Sequence, residues 1–376
     1  AFNRSKLDSI ATCGDINTNV VCSSHPKQSP IHEKVFAYAD KISEMLMPKT
    51  KAYYEIWLDD QLIIDKKDEE DLLYQDRYLP RKFKIAIAIP PNNDVDVFAN
   101  DIGLIAIIEN DTLLGFNVAI GGGLSATHGN GDTYPRLATV IGFCNSEEKT
   151  LKAIYEVLAI QRDFGNRSDR KLARLKYTIA KYGIRWFKDE LESRIGFMLE
   201  PARSYQFNER KDFYGWYQND KGLWYYTVFV ENGRVLDNEK VRLKSAMLVV
   251  AKTGKANFRF TCNQNLILSD IEEKYKIDIQ NILESYQITT LTEEASAIRK
   301  NSMACVALNT CPLALAEGQR YLPSLITKIE LLLDNHGLKE EEIIIRMTGC
   351  PNGCARPYIA EIGFVGTSSG HYNLHL

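Results

Sequence analysis

The chain repeats itself. Ile89-Pro90-Pro91-Asn92-Asn93 resembles Gly349-Cys350-Pro351-Asn352-Gly353, and the same spacing sets Asp101-Ile102-Gly103-Leu104 against Glu361-Ile362-Gly363-Phe364. Self-similarity at a fixed offset is the mark of a duplicated structural unit, so the fold is expected to be pseudo-twofold. Further along, Phe116-Asn117 answers Tyr372-Asn373, and Cys22 after Asn19-Val20-Val21 answers Cys305 after Ser302-Met303-Ala304. The copies differ in chemistry, since Pro90 and Asp94 stand where the second copy has Cys350 and Cys354. Only the second copy can therefore hold a thiolate-bound metal centre. Copy one runs into Gly121-Gly122-Gly123, whereas the sequence stops at Leu376 where matching glycines would begin, so a fragment lacking a C-terminal end and a leading domain is expected.

Periodicity fills in the units. Val35, Phe36, Ala39, Ile42, Met45 and Leu46 fall on one face of a helix from His32 to Met47. Lys84 to Ile89 reads as a buried strand closed by Pro90-Pro91, followed by strands at Gly103–Glu109 and Leu114–Ile120 and helices over 147–162 and 170–182. From Phe213 the pattern turns to strands, including Trp224–Glu231 and Asn257–Leu268, and a helix at Ile271–Tyr286 completes a compact α+β unit. A helix over 317–335 and a strand at Glu342–Met347 lead to the last cysteines. For 376 residues two or three domains are expected. They are residues 1–195, a first α/β repeat; 196–290, a ferredoxin-like half-domain; and 291–376, a second repeat. The fold class is α+β.

Of 8 cysteines, only Cys305, Cys311, Cys350 and Cys354 cluster, which reads as a metal site in a reducing compartment rather than a disulfide framework. Cys13, Cys22, Cys144 and Cys262 read as small buried hydrophobes. Four thiolates are the ligand set of an iron–sulfur cluster. Tetrahedral zinc is the competitor, but the long gap in Cys305-Val-Ala-Leu-Asn-Thr-Cys311 is wider than zinc ribbons favour.

Asn301-Ser-Met-Ala-Cys305, Thr310-Cys311-Pro312-Leu313-Ala314 and Thr348-Gly-Cys350-Pro-Asn-Gly-Cys354-Ala-Arg356-Pro resemble segments of the assimilatory sulfite reductase haemoproteins. The similarity extends through Tyr78-Leu-Pro-Arg-Lys-Phe-Lys84, the triple glycine, Gln161–Arg170 and Thr261-Cys-Asn-Gln-Asn-Leu266. This resemblance implies a 4Fe–4S cluster on Cys305, Cys311, Cys350 and Cys354, with Cys354 also the axial ligand of a sirohaem iron, and six-electron reduction of sulfite to sulfide in sulfate assimilation and cysteine biosynthesis. The Pro351-Asn352-Gly353 turn supplies N–H groups that can tune the sulfurs. Gly121, Gly122 and Gly123 bring backbone close to whatever lies beyond them and are candidate cofactor contacts.

Lys82 and Lys84 fall on one face of a strand by alternation. By themselves they read as a solvated strand end; the resemblance implies that they hold the sulfite anion and supply protons, with mutual repulsion lowering a pKa. The carboxylates of sirohaem need forked cationic partners, for which Arg170 and Arg174, four apart, are the candidates, with Gln264 near the macrocycle. One position departs from the pattern. In Gly14-Asp-Ile-Asn17-Thr18-Asn19-Val20, Thr18 replaces an arginine that the resemblance assigns to sulfite binding.

A net charge of -3 with only short basic segments argues against nucleic-acid binding. No apolar run approaches the roughly 20 residues of a membrane span, and Ala1-Phe2-Asn3-Arg4 opens no charged-then-apolar leader. The six histidines form no ligand pair. Gly121-Gly122-Gly123 is no dinucleotide fingerprint, so electrons must come from a separate protein, an NADPH flavoprotein or a ferredoxin. A cytoplasmic location is expected, or a plastid in a plant or alga. The rivals are a sirohaem nitrite reductase and an inactive cluster-binding remnant.

Overall fold

The computed structural model describes residues 15–48, 55–58, 61–65, 71–75 and 77–376; Cys13 and the N-terminal residues lie outside these. Element order is β1 (Asn17–Cys22), α1 (His32–Met45), β2 (Glu55–Leu58), β3 (Gln61–Asp65), β4 (Phe83–Ala88), β5 (Ile102–Glu109), β6 (Thr112–Ile120) and β7 (Thr139–Cys144). Helices α2 (Glu147–Phe164), α3 (Leu175–Tyr182) and α4 (Ile184–Ile195) follow. The middle of the chain is β8 (Gly215–Gln218), β9 (Trp224–Val228), α5 (Leu243–Thr253), β10 (Asn257–Phe260), β11 (Leu266–Ile271), α6 (Glu273–Ser285) and α7 (Ile288–Glu294). Last come α8 (Ala297–Lys300), β12 (Ser302–Ala304), α9 (Leu322–Asn335), β13 (Ile345–Thr348), β14 (Ile362–Ser368) and β15 (His371–His375).

Two of the sheets are built alike. In the first, ordered β1-β4-β5-β6-β7, β1, β4 and β5 are parallel and β6 returns antiparallel; in the other, ordered β12-β13-β14-β15, the same pattern recurs. Helix α1 crosses from β1 to β4 as α9 crosses from β12 to β13. Register makes the equivalence residue by residue: Ile85 pairs with Ile102 in one sheet and Ile345 with Ile362 in the other, and Ile105–Asn117 corresponds to Val365–Asn373. The buried Asp101 carboxylate accepts from the Lys84 N–H at 3.0 Å, and Glu361 accepts from the Ile344 N–H at 2.7 Å in the matching place. The pseudo-twofold α+β fold read from the sequence is thus the fold observed.

One alignment is corrected by register. Val20 faces Ile85 as Ser302 faces Ile345, so Cys22 corresponds to Ala304, and the counterpart of Cys305 is Ser23. The sequence comparison slipped by one because apolar residues precede both cysteines. The expected helix over 170–182 is also broken: a single 3-10 turn at Arg170–Leu172 precedes α3, with Arg174 extended between them. The expected strand Asn257–Leu268 is a hairpin, β10 and β11, whose turn holds Gln264 at a φ of +69°.

The first core gathers Ile85, Ile87, Leu104, Phe116, Val118, Ile154, Val157, Leu158, Phe187 and Leu191 from both sheet and helices, each fully buried. Period-2 and period-3.6 apolar faces meet there. The core of the second repeat is smaller, built on Ala304, Leu322, Ile326, Ile345 and Met347. Between the repeats lies the four-stranded antiparallel sheet β10-β11-β9-β8, which packs α5 and α6 against Tyr226, Val228, Leu266 and Leu268. It is tied to both repeats: Ser24 Oγ donates to the Phe260 carbonyl, and Gln264 Nε2 donates to the Ala304 carbonyl.

Candidate functional site

The amino end of β4, one face of β1, the loop after β6 and the turn after β13 converge on one cleft of about 580 Å³. Its walls carry Arg81, Lys82, Lys84, Arg170, Lys171, Arg174 and Arg356, and among the described residues no carboxylate lines it. Cys354 and the Asn352-Gly353 turn also face it.

Lys82 immediately precedes β4 and Lys84 lies inside it, so both reach the cleft from one strand face, as alternation requires. Burial pushes the Lys84 ammonium below its ordinary pKa, and Arg174 and Lys82 push it the same way, while Asp101 and Cys354 oppose them. Cys354 feels the reciprocal field. Burial raises its thiol and Cys350 adds to that, whereas Lys84 and Lys82 pull it down. The thiol is open to the cleft although protein surrounds the residue.

The four cysteines belong to one neighbourhood and none is in a disulfide. Cys350 and Cys311 both act on Cys354, and Cys354 and Cys350 act on Cys305. Among the described residues no three ligating side chains converge as closely as a single metal ion requires. Backbone shape makes room for the sulfurs. The Gly349 N–H donates to Cys305 Sγ at 3.3 Å, and Asn352 Nδ2 donates to Cys350 Sγ at 3.5 Å, contacts that favour thiolate. A Cβ on Gly349 would stand 2.6 Å from the Ala316 carbonyl oxygen, so only glycine fits there.

Other sequence candidates land differently. Arg170 and Arg174 line the cleft but share no helix face, and each is already held by a carboxylate: Arg170 grips Asp15 with two nitrogens at 2.9 and 2.8 Å, and Arg174 grips Asp101 at 3.1 and 2.7 Å. Of the three glycines only Gly123 faces the cleft; Gly121 carries Arg136 on its carbonyl, and Gly122 is pressed against Phe98 and Asn100. Gln264 lies outside the cleft lining, bonded to Ala304. Thr18 sits at a bulge in the β1–β4 pairing and turns its hydroxyl onto the Phe83 carbonyl at 3.0 Å, leaving Asn19 as the polar residue of β1 in the wall.

Lys171, Arg356 and Cys262 are wall residues that sequence reasoning did not assign to the site. Lys176 was missed as support. It is buried, and its Nζ donates to the carbonyls of Gly123 at 3.0 Å and Ser125 at 2.7 Å and to that of Tyr134, which shapes the loop after β6. Its signal in the sequence is its place in the basic group Arg167, Arg170, Lys171, Arg174 and Lys176, of which Arg170 and Arg174 are the chosen candidates.

The comparisons agree with this architecture. A family described as nitrite and sulphite reductase 4Fe-4S domain matches residues 37–199, and one described as nitrite/sulfite reductase ferredoxin-like half domain matches residues 217–286. The first match falls on the repeat without the cysteine motif, which the duplication accounts for. The chain is similar to the sulfite reductase [NADPH] hemoprotein beta-component of Leptospira biflexa, 63% identical over all of this chain and 68% of that protein. Its namesake in Lysinibacillus sphaericus is 52% identical over all of this chain and 65% of that protein. The solved structure of Mycobacterium tuberculosis NirA protein superposes with a TM-score of 0.72 at 25% identity, covering 97% of this chain and 62% of that one. The chain thus spans about two thirds of the length of the curated relatives it matches.

Proposed function

The chain belongs to the nitrite and sulfite reductase family, oxidoreductases that use sirohaem and a 4Fe–4S cluster, and from that premise we propose that its cationic cleft holds sirohaem and sulfite above the cluster. The observation that carries this reading is the meeting of Cys354, Lys82 and Lys84 in one cleft that, among the described residues, is lined by seven cationic side chains and no carboxylate. A macrocycle edged with carboxylates and a small oxyanion are the ligands such a lining suits. Cys305, Cys311, Cys350 and Cys354 would hold the cluster, and Cys354, the cysteine in the cleft wall, would join it to the sirohaem iron. Bound together, the two groups would pass on the six electrons that a separate donor protein supplies for HSO3⁻ + 6 e⁻ + 6 H⁺ → HS⁻ + 3 H2O.

The chain's own residues supply charge and protons. Lys82 and Lys84 would neutralise the anion, and the lowered pKa of Lys84 makes its ammonium a better acid than an ordinary lysine. Asp101 keeps Arg174 oriented at the wall, and Lys176 keeps the loop after β6 in place. Asn19 would contact the substrate side as a neutral donor, since Thr18 faces the Phe83 carbonyl. An NADPH-dependent flavoprotein as electron donor follows from the relatives' name, and the four free thiols favour the reducing cytoplasm.

The test is an anaerobic preparation from cells that make sirohaem, compared with Cys354→Ser. Haem bands, iron and acid-labile sulfide in the wild type, with sulfite-dependent oxidation of a reduced viologen that is lost in the variant, are expected. A wild-type protein without iron or acid-labile sulfide overturns the proposal.

A further inference from the structure

Asp96 and Arg356 occupy the same place in the two repeats, and they touch. Each is a left-handed residue, at φ +48° and ψ 58° for Asp96 and φ +57° and ψ 47° for Arg356, and each caps a short 3-10 turn, Val97–Ala99 in the first repeat and Pro357–Ile359 in the second. Their ion pair, Arg356 Nε to Asp96 Oδ2 at 2.6 Å, therefore lies where the two repeats meet back to back. The same oxygen also takes Arg346 Nη1 at 2.6 Å, from β13. Asp96 is 1% exposed and Arg346 is 2% exposed, so one buried carboxylate balances two guanidinium groups.

The second repeat's cysteine turn hangs from this contact. Arg356 follows Cys354 by two residues, its N–H closes the turn onto the Gly353 carbonyl at 2.8 Å, and its Nη2 donates to the Cys262 carbonyl at 2.7 Å. A left-handed arginine is strained by about 1 kcal/mol or more and persists only where its surroundings fix it. Here the fixing groups are the Cys262 carbonyl and the Asp96 carboxylate, the latter from the repeat that lacks the cysteine motif. Among the described residues Asp96 Oδ1 has no hydrogen-bond partner, so the carboxylate meets both arginines through its other oxygen, Arg346 in a hydrogen bond and Arg356 Nε in a close ion pair outside hydrogen-bond geometry.

We propose that Asp96 is a positioning residue for Cys354: through Arg356 it sets the conformation of the turn that presents the bridging thiolate to the cleft. The inference rests on the proposed role of Cys354 as a cofactor ligand. It explains why the ligand-free repeat is built into the site, since that repeat contributes the anchor of the turn as well as the lysines of the wall.

The test uses the intact holoprotein and three variants: Asp96→Asn, Arg356→Gln and Arg346→Met. The readouts are the electron paramagnetic resonance spectrum of the reduced cluster, the visible haem spectrum, and the rate at which a chelator removes iron, alongside melting temperature. Asp96→Asn and Arg356→Gln are expected to alter both spectra and to speed iron loss about tenfold. Arg346→Met, which leaves the Asp96–Arg356 contact in place, is expected to lower the melting temperature with wild-type spectra. If Asp96→Asn does not fold, Arg356→Gln decides, because it leaves the buried Asp96–Arg346 pair intact. Spectra and iron release unchanged in Arg356→Gln, or changed equally in Arg346→Met, overturn the inference. A wild-type protein with no cluster signal instead sinks the cofactor reading beneath it.

Discussion

Lys84 sits in opposing fields, with Arg174 and Lys82 on one side and Asp101 and Cys354 on the other, and burial decides the balance against its charge. A proton donor must be protonated, so sulfite reduction is expected to fall as pH rises through a pKa below that of an ordinary lysine. Lys84→Arg should move this alkaline limb of the pH–rate profile upward, and Lys84→Met should lower turnover by about 10². The pair Lys82 and Lys84 was legible in the sequence because strand alternation fixes which side chains share a face. The partners of Arg170 and Arg174 were not, since Asp15 and Asp101 reach them across the fold. Asp94 gives a second pH signature. It is buried and hydrogen-bonded by Ser23 Oγ at 2.6 Å, and burial raises its carboxyl to about 7. A raised folded-state pKa means stability that is complete at low pH and is lost as pH climbs through about 7. Asp94→Asn should therefore gain on the wild type in melting temperature between acidic and mildly alkaline buffer.

Helix α3 shows how one element serves the site from a distance. Its Lys176 ties three carbonyls of the loop after β6, and burial lowers its pKa to about 8. Lys176→Met leaves those carbonyls without their donor, which should destabilise the fold by about 1–3 kcal/mol. Hydrogen exchange over 123–134 should rise, and thermal unfolding should come several degrees earlier. Strands β4, β5 and β6 were readable from β-branched runs and their turn signals. The break at Ala173–Arg174 was hidden because a 3-10 turn and a following helix carry the same local periodicity. The hairpin turn at Gln264 was hidden because its left-handed residue is not glycine.

At the scale of the whole molecule the two repeats differ in how they are held together. The first has an extensive core shared by sheet and helices, whereas the second relies on a small set around Leu322, Ile326, Ile345 and Met347. Chelating away the iron is expected to loosen β12 to β15 and leave β4, β5 and β6 protected, which hydrogen exchange of stripped and loaded protein would show. Equal loosening of both sheets would contradict this division. The duplication itself was visible in the sequence through its turns. Its residue-level register was not, because a one-residue slip between similar apolar strands changes no composition.

Where the second repeat has Cys305 and Cys354, the first has Ser23 and Asp94, joined by a hydrogen bond. That bond joins the two positions with the first copy's own atoms, so this half has no thiolates there for a cluster to take. The duplication thus gives one blueprint two endings, a plain hydrogen bond in one copy and a set of thiols in the other.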